Sequence, residues 1–331
     1  MYQGTPFTWL VVLTDCLGNF EDHGIDAELV PTDSGPAAMA GLVSGDLQFV
    51  SGDIINGGIP LAKGIPLRMV SGMMLGKQQL LVARKGGGLP DTFPESVQAL
   101  KGKPFGIVAP GSAANFYANM ILEAAGMKDT DVKYAPTTAL PANISAALES
   151  GRVSASMGAL PVVYGLVNSG NYEVLFNLDT VTAELFPGKA ASPADLPSES
   201  PLRKMADLVH QYLWTTADYA KSNEQTVSQV QEALMETDVY LRTPENVEKA
   251  IDCLLKNNHV TEVPGATEEQ TRRLLSVTLP LLVSHAPREH VTAYQEVWSD
   301  AGVLPKVLPV NEFMLETVPQ SPEDVAKRVK G

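Results

Sequence analysis

The sequence predicts an α/β fold: a two-lobed clamshell, each lobe a mixed, mostly parallel sheet flanked by helices, with a helical C-terminal tail. Three observations predict it. Short β-branched and aromatic runs alternate with helix-length runs, as when parallel strands are joined by right-handed crossovers. The alternation is duplicated: Leu42-Val43-Ser44-Gly45-Asp46-Leu47 lines up with Leu148-Glu149-Ser150-Gly151-Arg152-Val153, and Val30-Pro31-Thr32 echoes Ala135-Pro136-Thr137. The chain's 331 residues also suffice for two lobes, each with its own core.

In chain order, Phe7–Leu13 reads as a buried strand and Ile25–Val30 as a second. Ser34-Gly35-Pro36 starts a helix, with Ser as N-cap and Pro in the first turn; it stops at Ser44-Gly45. Leu47–Val50 is the third strand, ending on Ser51-Gly52-Asp53. In the second copy Pro104–Ala109 is a strand, Ala113–Ala125 a helix stopped by Gly126, Val132–Tyr134 a strand, Ala142–Leu148 a helix and Val153–Ser156 a strand.

Between the copies lie the strand Leu80–Arg84 and the triplet Gly86-Gly87-Gly88, a natural crossing between lobes. Tyr212–Thr216 is the expected return crossing. Residues 182–201 read as a surface loop, and from Asn223 the chain reads helical, with helix starts at Thr243-Pro244 and Ala266-Thr267. The expected lobes are therefore 1–83 with 216–331, and 84–215, and two crossings make a hinge.

Composition excludes several classes. Lys and Arg total 24 against 38 Asp and Glu, a formal charge of −14 with no basic stripe, so nucleic acid is not expected as a partner. No apolar run reaches the roughly 18 to 20 residues of a membrane helix. Cys16 and Cys253 form no metal-spaced pair and read as free thiols, Cys253 in a helix. The N-terminal residues carry no basic segment or apolar h-region, which leaves a cytoplasmic protein or a mature chain after signal removal.

In open α/β sheets ligands bind beyond the carboxyl ends of strands, where loops lead into helix N-termini. That rule selects Thr14, Gly35, Ser51, Gly52 and Asp53 in lobe one. In lobe two it selects Ser112, Ala113, Asn115, Thr138, Gly158 and Tyr164. In Pro110-Gly111-Ser112-Ala113 a glycine permits close backbone approach, and a helix N-terminus favours a carboxylate, sulfonate or phosphate oxygen. Asp15, Asp33 and Asp53 would place carboxylates near this cleft. Lys77 and Arg68 are the candidate cations, Gln78 and Gln79 candidate amides.

Gly18-Asn19-Phe20-Glu21-Asp22-His23-Gly24-Ile25-Asp26-Ala27-Glu28-Leu29 resembles a run of bacterial ABC-transporter substrate-binding proteins, the nitrate/sulfonate/taurine and thiamine-pyrimidine branch. Ser34-Gly35-Pro36, Leu42 to Phe49, Ser51-Gly52-Asp53, Leu100-Lys101-Gly102-Lys103 through Gly111-Ser112, and Thr215 to Tyr219 are similar in order and spacing. The resemblance spans roughly residues 7–240. It implies a type II periplasmic-binding-protein fold, export to the periplasm or to an extracellular, membrane-associated location, and delivery of a small ligand to a membrane permease by a monomer. The resemblance transfers no substrate; the ligand classes expected, in order of preference, are a small aromatic or heterocyclic acid, a sulfonate and a pyrimidine. No metal or cofactor is expected.

Catalytic patterns are missing. His285 and His290 are five apart around Pro287, and all five histidines read as surface residues. Neither a Walker loop nor a G-x-S-x-G elbow occurs. An enzyme of thiamine-pyrimidine or menaquinone-precursor biosynthesis on the same fold remains the alternative, and a sensor lobe reporting ligand to a partner protein is a third.

Overall fold

The computed structural model describes residues 8–32, 34–137, 141–179, 181–186, 190–256 and 266–316. The chain forms two units, one of Met1–Leu75, Leu208–Thr261 and Leu275–Gly331, the other of Gly76–Asp207 and Glu262–Leu274. It passes from the first to the second at Leu75/Gly76 and returns at Asp207/Leu208. Gly86–Gly88 lies inside the second unit and Tyr212–Thr216 inside the first.

The first unit opens with α1 (Trp9–Cys16), α2 (Asn19–Asp22), α3 (Gly35–Ser44), β1 (Val50–Asp53), α4 (Ile54–Ala62) and β2 (Leu67–Leu75). The second contains β3 (Gln79–Arg84), α5 (Glu95–Gln98), β4 (Pro104–Ile107), α6 (Ala113–Ala124), β5 (Lys133–Pro136), α7 (Pro141–Glu149), β6 (Ala155–Ala159), α8 (Leu160–Asn168), β7 (Tyr172–Asn177) and α9 (Pro201–Lys204). Then follow β8 (Val209–Thr216), α10 (Ala217–Ser222), α11 (Glu224–Tyr240), α12 (Pro244–Lys256), α13 (Glu268–Thr278), α14 (Arg288–Asp300) and α15 (Val310–Phe313).

The run expected as the first strand is helical where it is described. Trp9 to Thr14 are all buried, and Thr14 Oγ1 donates to Leu10 O at 2.7 Å, one turn back. A short, wholly apolar run fits a buried helix as well as a buried strand. Tertiary packing decides for helix here: α1 lies against α2, α11 and α12. Cys16 closes α1 and is disulfide-bonded to Cys253 of α12, with Cα atoms 6.1 Å apart, so the expected free thiols are corrected. Sequence spacing could not show that two helices 237 residues apart pack side by side.

Ile25–Val30 is a second correction. It carries no strand assignment, yet it keeps a strand's alternation: Ile25, Ala27 and Leu29 half-buried, Asp26 and Glu28 exposed. A groove of about 240 Å³ runs beside it, lined by Val11, Phe20, Leu29, Leu47 and Phe49. Strand three also moves, from Leu47–Val50 to Val50–Asp53, because pairing with β8 sets its limits: Val50 opposes Trp214 and Asp53 opposes Gln211.

Sheet direction departs from expectation in the first unit. Its sheet has order β1-β8-β2 with both ladders antiparallel. The second unit's order is β5-β4-β6-β3-β7, with β4 parallel to β5 and β6, and β3 antiparallel to β6 and β7. Helix and turn signals hold closely. Ser34 accepts from Ala37 N, Pro follows in the first turn, and Gly45 ends α3 at φ +88°. The expected surface loop at 182–201 is not all surface: Leu185, Phe186 and Leu196 are buried, and Phe186 meets the Tyr164 ring edge-on at 5.9 Å.

The first unit's core centres on Trp214, which donates Nε1–H to Gly52 O at 3.0 Å and stacks on Phe313. A Cβ on Gly57 would stand 2.5 Å from that indole, so only glycine lets α4 lie this close.

Candidate functional site

Strand direction gathers the second unit's chemistry at one edge of its sheet. β4, β5 and β6 run parallel, so their carboxyl ends lead there, into Ala109–Ser112, Thr137 and the start of α8. β3 runs the other way and begins there: Gln79 opposes Ala159 and Leu80 opposes Asn177. Lys77, Gln78 and Gln79 therefore enter the sheet at the edge where β6 and β7 end. Main-chain bonds lock the join, Leu160 N to Gln78 O and Leu178 N to Gln79 O, both at 3.0 Å.

Gly111 adopts φ +72°, which turns the loop into α6. Ser112 is buried and caps α6: its hydroxyl accepts from Asn115 N at 3.3 Å and donates to Ala109 O at 2.7 Å. Asn115 Oδ1 accepts from Gly111 N at 3.1 Å. Both side chains shape the loop. What the site offers a ligand here is the positive end of α6 at Ala113. α8 also starts at this edge, with Ala159 as N-cap and so no side-chain cap over its first turn.

One cation lies within this group of residues. Lys77 is 3% exposed and its Nζ sits 4.5 Å from the centroid of the Tyr117 ring on α6. Beside it in sequence, Gln78 is fully buried with neither amide atom hydrogen-bonded, and Gln79 Oε1 is also without a partner. Such groups cost about 1–3 kcal/mol each when left unpaired. Beyond β7, Asp179 is buried; Asn177 Oδ1 accepts from its N–H, and its own Oδ1 accepts from Val181 N at 2.9 Å. Burial raises its carboxyl to about 6, against the opposing pull of the Val181 and Thr182 amides.

Gly158 and Tyr164, also selected in this unit, serve packing. A Cβ on Gly158 would stand 2.3 Å from Val163 Cγ1. Tyr164 is buried against Phe186, and burial raises its phenol. Thr138 lies outside the described residues, but its neighbour Thr137 is buried, donating to Ile107 O and meeting Ser156 Oγ at 3.3 Å.

In the first unit, Gly35, Gly52 and Asp53 converge on Asn56, which sequence reasoning missed. A Cβ on Gly35 or Gly52 would stand 3.0 or 3.3 Å from its side chain, and Asn56 Oδ1 accepts from Asp53 N at 3.2 Å. The signal was present as a D-x-x-N capping box at the start of α4. Asp53 is engaged by the fold: Oδ1 accepts from Ile55 N and Oδ2 from Tyr294 Oη. Ser51 Oγ accepts from Gln211 Nε2 at 2.9 Å. Thr14 lies inside α1 against Thr237, so the argument placing it after a strand falls with that strand. Asp15 also belongs to α1, Asp33 and His259 lie outside the described residues, and Arg68 Nη1 donates to Leu67 O. His210, read as a surface residue, is 1% exposed, because its strand β8 is the middle of three.

The family model of the NMT1-like family matches residues 8–255, most of the chain. The chain belongs to the NMT1-like family. A curated relative, described as a binding protein of Brucella abortus (strain 2308), is 26% identical over 203 residues; the match covers 60% of this chain and 59% of the relative, so the chain spans about three fifths of the curated relatives it matches. Among solved structures, this NMT1-like chain is similar to the alkanesulfonate-binding protein SsuA of Xanthomonas axonopodis pv. citri bound to MOPS, at 20% identity and TM-score 0.69, covering 94% of this chain and 95% of that one. It is likewise similar to the periplasmic nitrate-binding protein NrtA of Synechocystis PCC 6803, at 14% identity and TM-score 0.69, covering 98% and 86%. The fold of this family member is thus the α/β periplasmic-binding-protein fold, with mixed sheets flanked by helices and a helical C-terminal region. Among the described residues no helix is long and apolar enough to cross a membrane.

Proposed function

We propose that this protein is the extracytoplasmic solute-binding component of an ABC importer, holding a small organic anion and passing it to a membrane permease. The observation that carries the reading is the sheet edge of the second unit, which holds Lys77 over Tyr117, the start of α6 at Ser112-Ala113, the unpaired buried amide of Gln78 and the unpaired Oε1 of Gln79. A buried ammonium and a helix N-terminus both favour an anionic group, and aromatic and aliphatic neighbours suit its organic body. The relatives' description as binding proteins supports binding over catalysis. The Cys16–Cys253 disulfide supports an oxidising compartment, where such bonds persist. Ser112, Ala113 and Asn115 remain the loop through which the ligand's acidic end is held. Gly35, Ser51 and Gly52 keep their proposed contacts, whereas Thr14, Asp53, Gly158 and Tyr164 have structural work instead. Ligand-linked closure belongs to the proposal, as a population shift limited by the ligand's preference for the closed form.

A thermal-shift screen against alkanesulfonates, nitrate and aromatic acids tests it. A ligand at a hundred times its dissociation constant stabilises the fold by about 2.7 kcal/mol. Stabilisation by one class, with the compound recovered unchanged and the radius of gyration falling in small-angle scattering, is the expected result. Chemical conversion of the compound would transfer the reading to the biosynthetic enzyme, and a constant radius would remove closure.

A further inference from the structure

Gln78 stands out among the side chains of the second unit. It is fully buried, and neither Oε1 nor Nε2 has a hydrogen-bond partner. Its backbone is pinned, because Gln78 O accepts from Leu160 N at 3.0 Å and Lys77 O from Gln79 N at 2.8 Å. The residue's main chain is therefore held against the first turn of α8, with the amide buried. A buried primary amide left in this state destabilises the free protein, whereas an apolar side chain of the same shape would not. Selection of glutamine here needs a partner that arrives from outside.

We propose that Gln78 is the specificity-determining residue of the ligand site, and that the ligand class is an organic acid carrying a carboxamide or lactam. This rests on the solute-binding reading above. A glutamine amide presents a donor and an acceptor side by side. Sulfonate, nitrate and ionised carboxylate offer acceptors only, so they would satisfy Nε2 and leave Oε1 buried and unpaired. A carboxamide or lactam edge satisfies both atoms at once. Lys77, the preceding residue, is held over Tyr117 and takes the ligand's acidic group. Gln79 Oε1, the next residue's unpartnered acceptor, suits a second ligand N–H. Sites built to hydrogen-bond a ligand reject the analogue lacking that group far more strongly than apolar pockets reject a missing methylene.

The experiment pairs calorimetric titration of the full chain with melting of its ligand-free form. The probes are matched isosteres, 2-pyrrolidone-5-carboxylate against cyclopentanecarboxylate and succinamate against succinate, alongside ethanesulfonate and nitrate. At least one amide-bearing acid is expected to bind tenfold or more tightly than its isostere. Gln78→Leu should erase that preference while raising the melting temperature of the ligand-free protein. Gln78→Glu, which replaces the donor by an acceptor, should weaken the amide-bearing acid at least tenfold. Tighter binding of ethanesulfonate or nitrate, with Gln78→Leu neutral toward it, would overturn the amide inference and leave the solute-binding reading standing. Absence of binding by both amide-bearing acids would overturn the amide inference, whereas the solute-binding reading falls only if the wider thermal-shift screen also finds no ligand. A lower melting temperature for ligand-free Gln78→Leu would mean that the amide serves the fold, and would overturn the inference alone.

Discussion

The two units spell one local grammar and end in different sheets. By the internal echo, Ile25–Val30 corresponds to β5, and β1 to β6. In the second unit β4 lies between β5 and β6 and pairs in parallel with both. Between the corresponding pair in the first unit lies the groove bounded by Ile25–Val30 and Leu47–Phe49, with no strand among the described residues. Local sequence thus sets the alternation of a strand, but a ladder exists only where a neighbour's N–H and C=O groups stand opposite. A disulfide joins α1 to α12 in the first unit, and close glycine packing serves both units: a Cβ on Gly57 would stand 2.5 Å from Trp214, and one on Gly106 would stand 2.4 Å from Ser156 Oγ.

Hydrogen exchange gives the widest contrast. The amides of Asp26 to Val30 should exchange on the order of a hundredfold faster than those of Ala135 and Thr137, which face β4. Equal protection would mean that Ile25–Val30 has a ladder partner after all, and the contrast would disappear. Next comes the disulfide. Replacing Cys16 and Cys253 by Ser should cost about 2–5 kcal/mol in chemical denaturation, because the bond closes a loop of 237 residues. A loss below ~1 kcal/mol would show that the packing of α1 on α11 and α12 holds the first unit without it.

Asp179 sharpens the comparison from the second unit. Its carboxyl titrates near 6 in the fold against 3.8 ordinarily, so between about pH 4 and 6 the folded state holds a proton that the unfolded chain has lost. Stability from this group is therefore full below that window and falls as pH rises through it. Asp179→Asn should flatten that slope and stabilise the protein at pH 7 by on the order of 2–3 kcal/mol. A pH profile parallel to that of the parent protein would place the proton elsewhere. The smallest effect is steric. Gly106→Ala should destabilise by about 1–3 kcal/mol, measured by melting, since the new methyl enters the space of Ser156 and Thr137. A neutral outcome would show that the β4–β6 ladder can widen.

Signals that act over a few residues were legible in the sequence: the Ser34 cap with its trailing proline, the Gly45 and Gly126 stops, the limits of α6, and the start of α12. So was the Ser112 loop at a strand's carboxyl end, because parallel connectivity follows from the βαβ pattern. The tertiary structure alone decided that Trp9–Leu13 winds as a helix, that Cys16 meets Cys253, that β8 is the middle strand of an antiparallel sheet, and that Gln78 is sealed from water beside α8. The reason is common to all four. Each depends on which distant segment lies opposite, and an apolar run, a thiol or an amide reads the same in sequence whatever partner the folded chain brings to it.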